Sequence, residues 1–281
     1  MLELARGLSD GALSAIAALE QCTVAADGGR LKLEWSTLRR RSGRDIDDFL
    51  WWDAERLTGF LGLYAYGGPT LEIAGMVDPR VRRRGIATAL LDAAVPICRG
   101  RGYQSALLVT PRGSVGGREL ALSRGAVLEH SEHALVLAGP PADGPTDPRI
   151  ALRTATPADV PDLSRLLTTA FGPVPSDLLD RLETDSERTL AIELEGAIVG
   201  TMRVTRRQDT GGVYGFAVDP AQRRRGIGGD ALRQACRRLR DEGVERIGLE
   251  VAVENDHALG LYNSLGFTRV TTEDYYELAM S

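Results

Sequence analysis

The sequence predicts an α/β protein that uses one fold twice, as two tandem domains, each a mixed, mostly antiparallel central sheet flanked by helices. Three observations carry that expectation. The decapeptide Val77-Asp78-Pro79-Arg80-Val81-Arg82-Arg83-Arg84-Gly85-Ile86 recurs from Val218 to Ile227 with eight of ten residues identical, an offset of 141 residues. Solenoid units are about 20 to 50 residues long, so this offset marks a duplicated domain. Each copy follows an apolar β-type run and precedes apolar residues at three- and four-residue steps, the periodicities of a strand and an amphipathic helix. Between the copies lies Gly139-Pro140-Pro141-Ala142-Asp143-Gly144-Pro145-Thr146-Asp147-Pro148, whose four prolines and two glycines can sustain neither helix nor central strand. The expected organisation is a domain over 1–138, a linker over 139–148 and a second domain over 149–281.

The elements follow in order. Leu2 to Arg6 reads as a short strand, and Ser9 caps a helix through about Val24, its hydroxyl accepting from the first turn. Leu31 to Arg41 reads as a second helix, Phe49 to Asp53 and Leu57 to Tyr66 as a hairpin, and Thr70 to Val77 as the strand entering the Gly turn. A helix from Gly85, kinked at Pro96 where a backbone hydrogen bond is lost, the strand Ser105 to Thr110, a helix over Arg118 to Ser123 and the strand Ala126 to Leu137 complete the first half. In the second half Ile150 to Thr154 is a strand, and Thr156-Pro157-Ala158-Asp159 opens a helix with its cap and a proline at the first position. Ser176 to Leu182 reads as the next helix. Leu190 to Leu194 and Ala197 to Val204 pair around Glu195-Gly196. Val213 to Val218, the helix after Gly226, Arg246 to Val253, Ala258 to Leu265, and strands over Phe267 to Thr272 and Tyr275 to Met280 repeat the order of the first half.

Composition narrows the function classes. At 281 residues, with 43% hydrophobic and 26% charged residues, the chain is an ordinary soluble globular protein with one or two cores. A formal net charge of -5 with no broad basic field argues against a nucleic-acid partner. The start, Met1-Leu2-Glu3-Leu4-Ala5-Arg6, is acidic where a secretory signal is basic, and no apolar run approaches the roughly 18 residues of a membrane span. The expectation is a cytoplasmic protein with no membrane partner. Cys22, Cys98 and Cys236 are too far apart for a disulfide framework or a Cys-x-x-Cys metal site, and Cys98 and Cys236 fall on helix faces as core thiols. His130-x-x-His133 lies on a strand, where odd spacing sends the two rings to opposite faces. No metal site is expected.

The chemistry is concentrated where Val218 leads through Arg223-Arg224-Arg225-Gly226-Ile227-Gly228-Gly229 into a helix. First-turn N–H groups have no intrahelical acceptor and the helix dipole favours an anion there, while glycines let phosphate oxygens reach the backbone. The run lacks the Gly-Lys-Ser/Thr of a P-loop and the Gly-x-Gly-x-x-Gly of a dinucleotide fold. A solvated basic run is the plain alternative. Arg-x-x-Gly-x-Gly at a strand-to-helix turn resembles the acetyl-CoA signature of the GCN5-related N-acetyltransferases. The resemblance implies that amides from about Arg224 to Gly229 hold the CoA pyrophosphate, and that Phe216, Ala217 and Val218 pair with pantetheine amides as an added strand, with an amide near Ala217 or Val218 meeting oxyanion charge.

A second stretch, Asn255-x-x-Ala258-x-x-x-Tyr262-x-x-x-Gly266-Phe267, resembles the family's second signature. The resemblance implies that Tyr262 lies beside the thioester sulfur and protonates the departing CoA thiolate, against the alternative of a core aromatic in line with Ala258 and Leu265. It implies that Asn255 bonds the pantetheine arm, against simple helix capping. An amine with a pKa near 10 is mostly protonated at neutral pH, so a base is useful. Glu250 is the candidate, at a spacing from Tyr262 similar to that in ribosomal-protein N-α-acetyltransferases. Alternation puts it on the face opposite Leu249 and Val251, which also allows a solvent-facing role.

Aligned on Gly125, the first half has Ala121 in place of Tyr262 and Ser114 in place of Asn255. Val77, Arg82, Arg83, Arg84, Gly85, Ile86 and Ala87 still resemble a CoA turn, so binding there remains open, but the acid is missing. The reading is an acetyl-CoA-dependent N-acetyltransferase, similar in layout to tandem members such as the mycothiol synthases, with an active C-terminal half and a degenerate N-terminal one. It transfers directly to a primary amine with neither a metal nor a covalent enzyme intermediate. Little room for a long terminal loop near Tyr275-Tyr276 points to a small-molecule amine. A protein N-terminus as acceptor and a noncatalytic CoA-sensing module are the alternatives.

Overall fold

A computed structural model describes residues 1–172, 182–184 and 187–280. The chain forms two compact units, one of Met1–Glu132 together with the chain's end from Thr271, the other of His133–Val270. These differ from the contiguous stretches 1–138 and 149–281 read from the repeat, because each unit completes its sheet with a strand segment from beyond the linker.

The first unit runs β1 (Leu2–Ala5), α1 (Asp10–Asp27), α2 (Trp35–Arg39), β2 (Asp48–Asp53), β3 (Arg56–Tyr64), β4 (Thr70–Val77), α3 (Ile86–Gly100), β5 (Ser105–Pro111), α4 (Val115–Ser123) and the start of β6 (Val127–Leu137). Ser9 caps α1 as expected, accepting from the Ala12 amide at 3.2 Å, and α3 continues through Pro96. The expected helix over Leu31 to Arg41 shortens to α2. Lys32 instead reaches the Tyr275 hydroxyl at 2.5 Å and the Glu72 carboxylate at 3.4 Å, contacts that a helical backbone at this point would not supply.

Two expected strands at Phe267 to Thr272 and Tyr275 to Met280 are one, β13 (Thr268–Ala279). From Thr271 onward it belongs to the first unit, pairing antiparallel with β5 from Glu273 opposite Pro111 to Ala279 opposite Ser105. The acidic pair Glu273-Asp274 reads as a strand break, yet both residues are buried. Arg30 grips Glu273 through Nε and Nη2 at 3.2 and 3.1 Å, and Arg112 and the Ser131 hydroxyl donate to Asp274 at 2.7 Å. Charges that read as solvent-facing are satisfied inside the sheet.

The second unit contains the end of β6, β7 (Ile150–Thr154), α5 (Val160–Phe171), β8 (Glu183–Thr184), β9 (Glu187–Leu194), β10 (Ala197–Arg207), β11 (Thr210–Val218), α6 (Ile227–Asp241), β12 (Arg246–Ala252), α7 (Asp256–Ser264) and the start of β13. The helix read over Ser176 to Leu182 lies outside the described residues, apart from Leu182. Thr156 and Asp159 form a reciprocal capping box ahead of α5. Glu195 and Gly196 take φ of 54° and 84°, the left-handed pair of a two-residue hairpin between β9 and β10. Ile227, Ala231, Leu232, Ala235, Cys236 and Leu239 of α6 pack with Val213, Ile247 and Leu249 in one core, as their spacing predicts.

Candidate active site

The two repeated turns adopt the same backbone. Asp219 and Asp78 accept from the amides two residues on, at 2.9 Å each, around a 3-10 turn opened by Pro220 or Pro79. Arg224 and Arg83 then take φ of 60° and 62°, and Gly226 and Gly85 cap their helices at φ of 82° and 80°. A left-handed non-glycine costs on the order of 1–3 kcal/mol, and it is borne twice because it turns the next amides outward at a helix N-terminus. A Cβ on Gly226 would meet nothing within 4 Å, so its need for glycine is conformational. The first helix-closing bonds are Asp230 N to Gly226 O and Ala89 N to Gly85 O, so the preceding amides in each copy are left for an external acceptor. Both units therefore present the same helix N-terminus with its first-turn amides free of intrahelical acceptors.

Side chains separate them. Arg82 and Arg223 each brace the turn from Nε to the last strand carbonyl, at 3.1 and 3.0 Å. Arg82 then spends its guanidinium on Asp27 at 2.8 and 2.6 Å, and Arg83 pairs with Glu119. Among the described residues Arg223 and Arg224 have no carboxylate partner, and Arg225 meets the Gln222 side-chain oxygen. Two of the three arginines are thus paired with carboxylates in the first unit, and Arg223 and Arg224 are not so paired, among the described residues, in the second.

The strand entering the turn differs as well. β4 pairs with β3 without interruption, Gly59 opposite Val77 through Tyr64 opposite Glu72. β11 carries one extra residue, a bulge where the register slips between Thr201 opposite Ala217 and Arg203 opposite Tyr214, at Gly215 with φ of 54°. The bulge shifts the alternation so that Phe216 and Val218 join Val213 on the α6 face. β11 pairs in parallel with β12 from Thr210 to Val213, as β4 does with β5 from Thr70 to Ile73, so the end of each strand is open on that side and the bulge alone distinguishes them. The Asp219 amide bonds Val199 O, and the Ala217 carbonyl lies 2.7 Å from where a Cβ on Gly200 would be. Ala217 therefore directs its backbone to β10, and strand parity leaves Phe216 and Val218 facing the opening. Of the three residues read as a pantetheine edge, Ala217 thus directs its backbone to β10 and Phe216 and Val218 alternate with it.

Tyr262 is buried on α7 in the same core as Ile227, with its ring tilted against Phe267 at a centroid distance of 6.0 Å. Burial pushes its phenol up to about 12, so the hydroxyl stays protonated across neutral pH. Leu261 beside it lies within 3.3 to 3.7 Å of Cβ positions built on Gly228 and Gly229, which brings the helix carrying Tyr262 against the anion turn. The Asn255 side-chain oxygen accepts from the Ala258 amide at 3.1 Å, so it caps α7, as Ser114 caps α4 by accepting from Gly117 at 3.3 Å. Glu250 is half-buried on the face opposite Leu249 and Val251, as alternation requires.

Sequence reading missed what surrounds Glu250. Parallel registers place Gly212 beside Gly248 in the second unit and Glu72 beside Leu107 in the first, so Val109 holds the position of Glu250. Val109 is buried in the α1-side core with Tyr64 and Tyr275, and Lys32 covers Glu72. In the second unit the corresponding floor is glycine, with the Tyr214 ring folded over Gly212. The extra residue in β11 was the available signal. His130, read as one of a non-ligating pair, stacks on Tyr275 with centroids 4.1 Å apart. Among the described residues no three His, Cys, Asp or Glu side chains gather as metal ligands, and no helix is long and apolar enough to cross a membrane.

Known proteins carry the same pattern. The sequence pattern of the acetyltransferase (GNAT) family matches residues 18–119 and again 160–267. The mycothiol acetyltransferase of Catenulispora acidiphila is 30% identical over 79% of this chain and 77% of its own length, and that of Thermomonospora curvata is 29% identical over 96% and 95%. A GCN5-related N-acetyltransferase from Sphaerobacter thermophilus shares the fold with a TM-score of 0.84 at 20% identity, covering 99% of this chain and 96% of that one. A tandem GNAT protein from the clavulanic acid biosynthesis pathway does so at 0.72 and 20% identity, covering 100% and 99%. With two matched copies of the family pattern, a full-length structural counterpart and acetyltransferase relatives along most of its length, the chain belongs to the acetyltransferase (GNAT) family as a tandem N-acetyltransferase.

Proposed function

We propose that the second unit transfers the acetyl group of acetyl-CoA directly to a primary amine of a small molecule, and that the first unit has lost catalysis. One contrast carries the reading. The second unit joins a turn whose Arg223 and Arg224 have no carboxylate partner among the described residues, a bulged β11, Tyr262 and Glu250, whereas the first has Arg82 and Arg83 paired with carboxylates, an unbulged strand, Ala121 and Val109.

Acetyl-CoA supplies an activated acyl thioester. The amides from Arg224 to Gly229, with Arg223 to Arg225, bind its pyrophosphate, and Gly226, Ile227 and Gly228 bring backbone close to it. The edge of Phe216 and Val218 aligns the pantetheine. The Val218 amide stabilises negative charge at the reacting carbonyl, a fixed donor that needs no reorganisation, while the Val218 carbonyl is already held by Arg223. Glu250 accepts the proton of the incoming ammonium. Tyr262, protonated because it is buried, donates to the sulfur as charge builds there. Cys98 and Cys236 are buried core thiols pushed up to about 11 and about 12, which supports direct transfer over an acyl-cysteine.

The names of the mycothiol acetyltransferase relatives support a small-molecule acceptor over a protein N-terminus. Purified protein given acetyl-CoA with a panel of small primary amines and of N-terminal peptides tests this. Amine-dependent CoA release with an acetylated small product is expected. Turnover with peptides alone, or with nothing in the panel, overturns it.

A further inference from the structure

The stretch between the repeats reads as a spacer, yet it is bound along the helix that carries the anion turn. Ala142 donates its amide to Leu265 O, just past α7, at 2.9 Å. Arg233 of α6 donates to Ala142 O at 3.0 Å and Pro145 O at 3.1 Å, and Arg237 pairs with Asp143 at 2.9 Å. One turn nearer the helix start, Asp230 accepts from the Asp147 amide at 2.7 Å, and the Gln234 amide reaches Ile150 O at 3.4 Å. Asp230 and Arg233 are 4% and 5% exposed. Buried charges of this kind persist only with their partners in place. A Cβ on Gly144 would stand 2.2 Å from Arg233 Nη2 and 2.7 Å from its Cζ, so a side chain there would displace the guanidinium from its linker carbonyls.

The first unit has no such arrangement: the positions of Asp230 and Arg233 are Ala89 and the exposed Asp92. The strap thus ties the end of the Tyr262 helix to the first turns of the helix whose N-terminus carries Gly226. Asp230 is the fourth helical residue, one turn from the helix N-terminus, and its carboxylate accepts from the Asp147 amide. Asp147 in turn lies within electrostatic reach of Arg225.

We propose that residues 142–147 are a positioning element for acetyl-CoA, with Asp230, Arg233 and Gly144 setting where the pyrophosphate turn stands relative to Tyr262. This rests on the reading of Arg223 to Gly229 as the CoA turn. None of the three touches the reacting atoms; each acts through the placement of α6.

Calorimetric titration of acetyl-CoA into the full chain tests the proposal, with thermal unfolding followed in parallel. Asp230→Ala removes the acceptor of the Asp147 amide, and Gly144→Ala displaces Arg233 without changing charge. Both are expected to raise the acetyl-CoA Kd about fivefold or more in folded protein, as misplaced binding groups do. Asp230→Asn, which keeps an oxygen for the Asp147 amide, is expected to bind within about twofold of the parent. A purely structural strap would lower the unfolding temperature of Asp230→Ala and Gly144→Ala and leave Kd unchanged, and that result overturns the proposal. Gly226→Asp separates the two levels of inference. If it abolishes binding while the strap variants bind normally, the strap proposal alone falls; if it binds normally, the turn reading falls and the strap proposal with it.

Discussion

The turns at Gly85 and Gly226 share their φ values, 80° and 82° at the capping glycine and 62° and 60° at the left-handed arginine, yet the side chains around them differ. In the first unit Asp27 and Glu119 occupy the arginines, Ala121 fills the tyrosine position, and Glu72, Leu107 and Val109 fill the sheet face opposite α3. In the second the same positions are open, aromatic, glycine and carboxylate. An anion-binding backbone is cheap to keep, because a helix N-terminus and one left-handed glycine suffice. Chemistry requires side chains that a core would otherwise exclude, and these differ between the copies. The two copies keep the same scaffold while these positions differ between them.

The comparison is broken most severely by Gly226→Asp, which sets a side chain and a negative charge on the N-terminus of α6. Acetyl-CoA binding by the second unit should become undetectable by calorimetry, with turnover lost alongside it. Retention of parent affinity would remove the distinction between the turns.

Tyr262→Phe should lower kcat by about 10²- to 10⁴-fold with little change in acetyl-CoA KM, the range of general acid catalysis. Because burial holds the phenol at about 12, the parent rate should not decline through loss of this proton between neutral pH and about pH 10. A fall of less than about threefold under chemistry-limited conditions would return Tyr262 to the role of a core aromatic like those of the first unit.

Glu250→Gln should reduce kcat/KM by about 10²-fold near neutral pH, the lower end of acid–base effects. The deficit should shrink as pH rises toward the amine's pKa of about 10, because solvent then supplies the neutral amine that the carboxylate otherwise generates. A deficit constant with pH would show that Glu250 orients the acceptor without taking its proton.

The smallest effect is expected from Gly85→Asp. Since the first unit has neither the acid nor the base, kcat should change by less than about twofold, and any loss should appear as a lower unfolding temperature. Abolished turnover in folded protein that still binds acetyl-CoA through the second unit would overturn the division of labour.

The sequence by itself determined the duplication, the two anion turns, the helix faces of α3 and α6, and the absence of Tyr262 and Asn255 equivalents in the first half. Each is written in local terms: a repeated decapeptide, a 3.6-residue period, a glycine where φ must be positive. The capping alternative for Asn255 is the one the structure displays, and Ser114 caps its own helix in the same way. What only the tertiary structure decided depends on partners distant in the chain. Glu273-Asp274 reads as a break until Arg30, Arg112 and Ser131 converge on it. The exchange of strand ends hides in β13, one continuous strand whose residues are divided between the two units at Thr271. The Ala217 backbone turns to β10 because a bulge at Gly215 resets the alternation, and a strand's phase is fixed by its neighbours' register. The linker, with four prolines and two glycines in ten residues, is held by Asp230 and Arg233 from a helix more than eighty residues away, because buried charges select their partners in space and not along the chain.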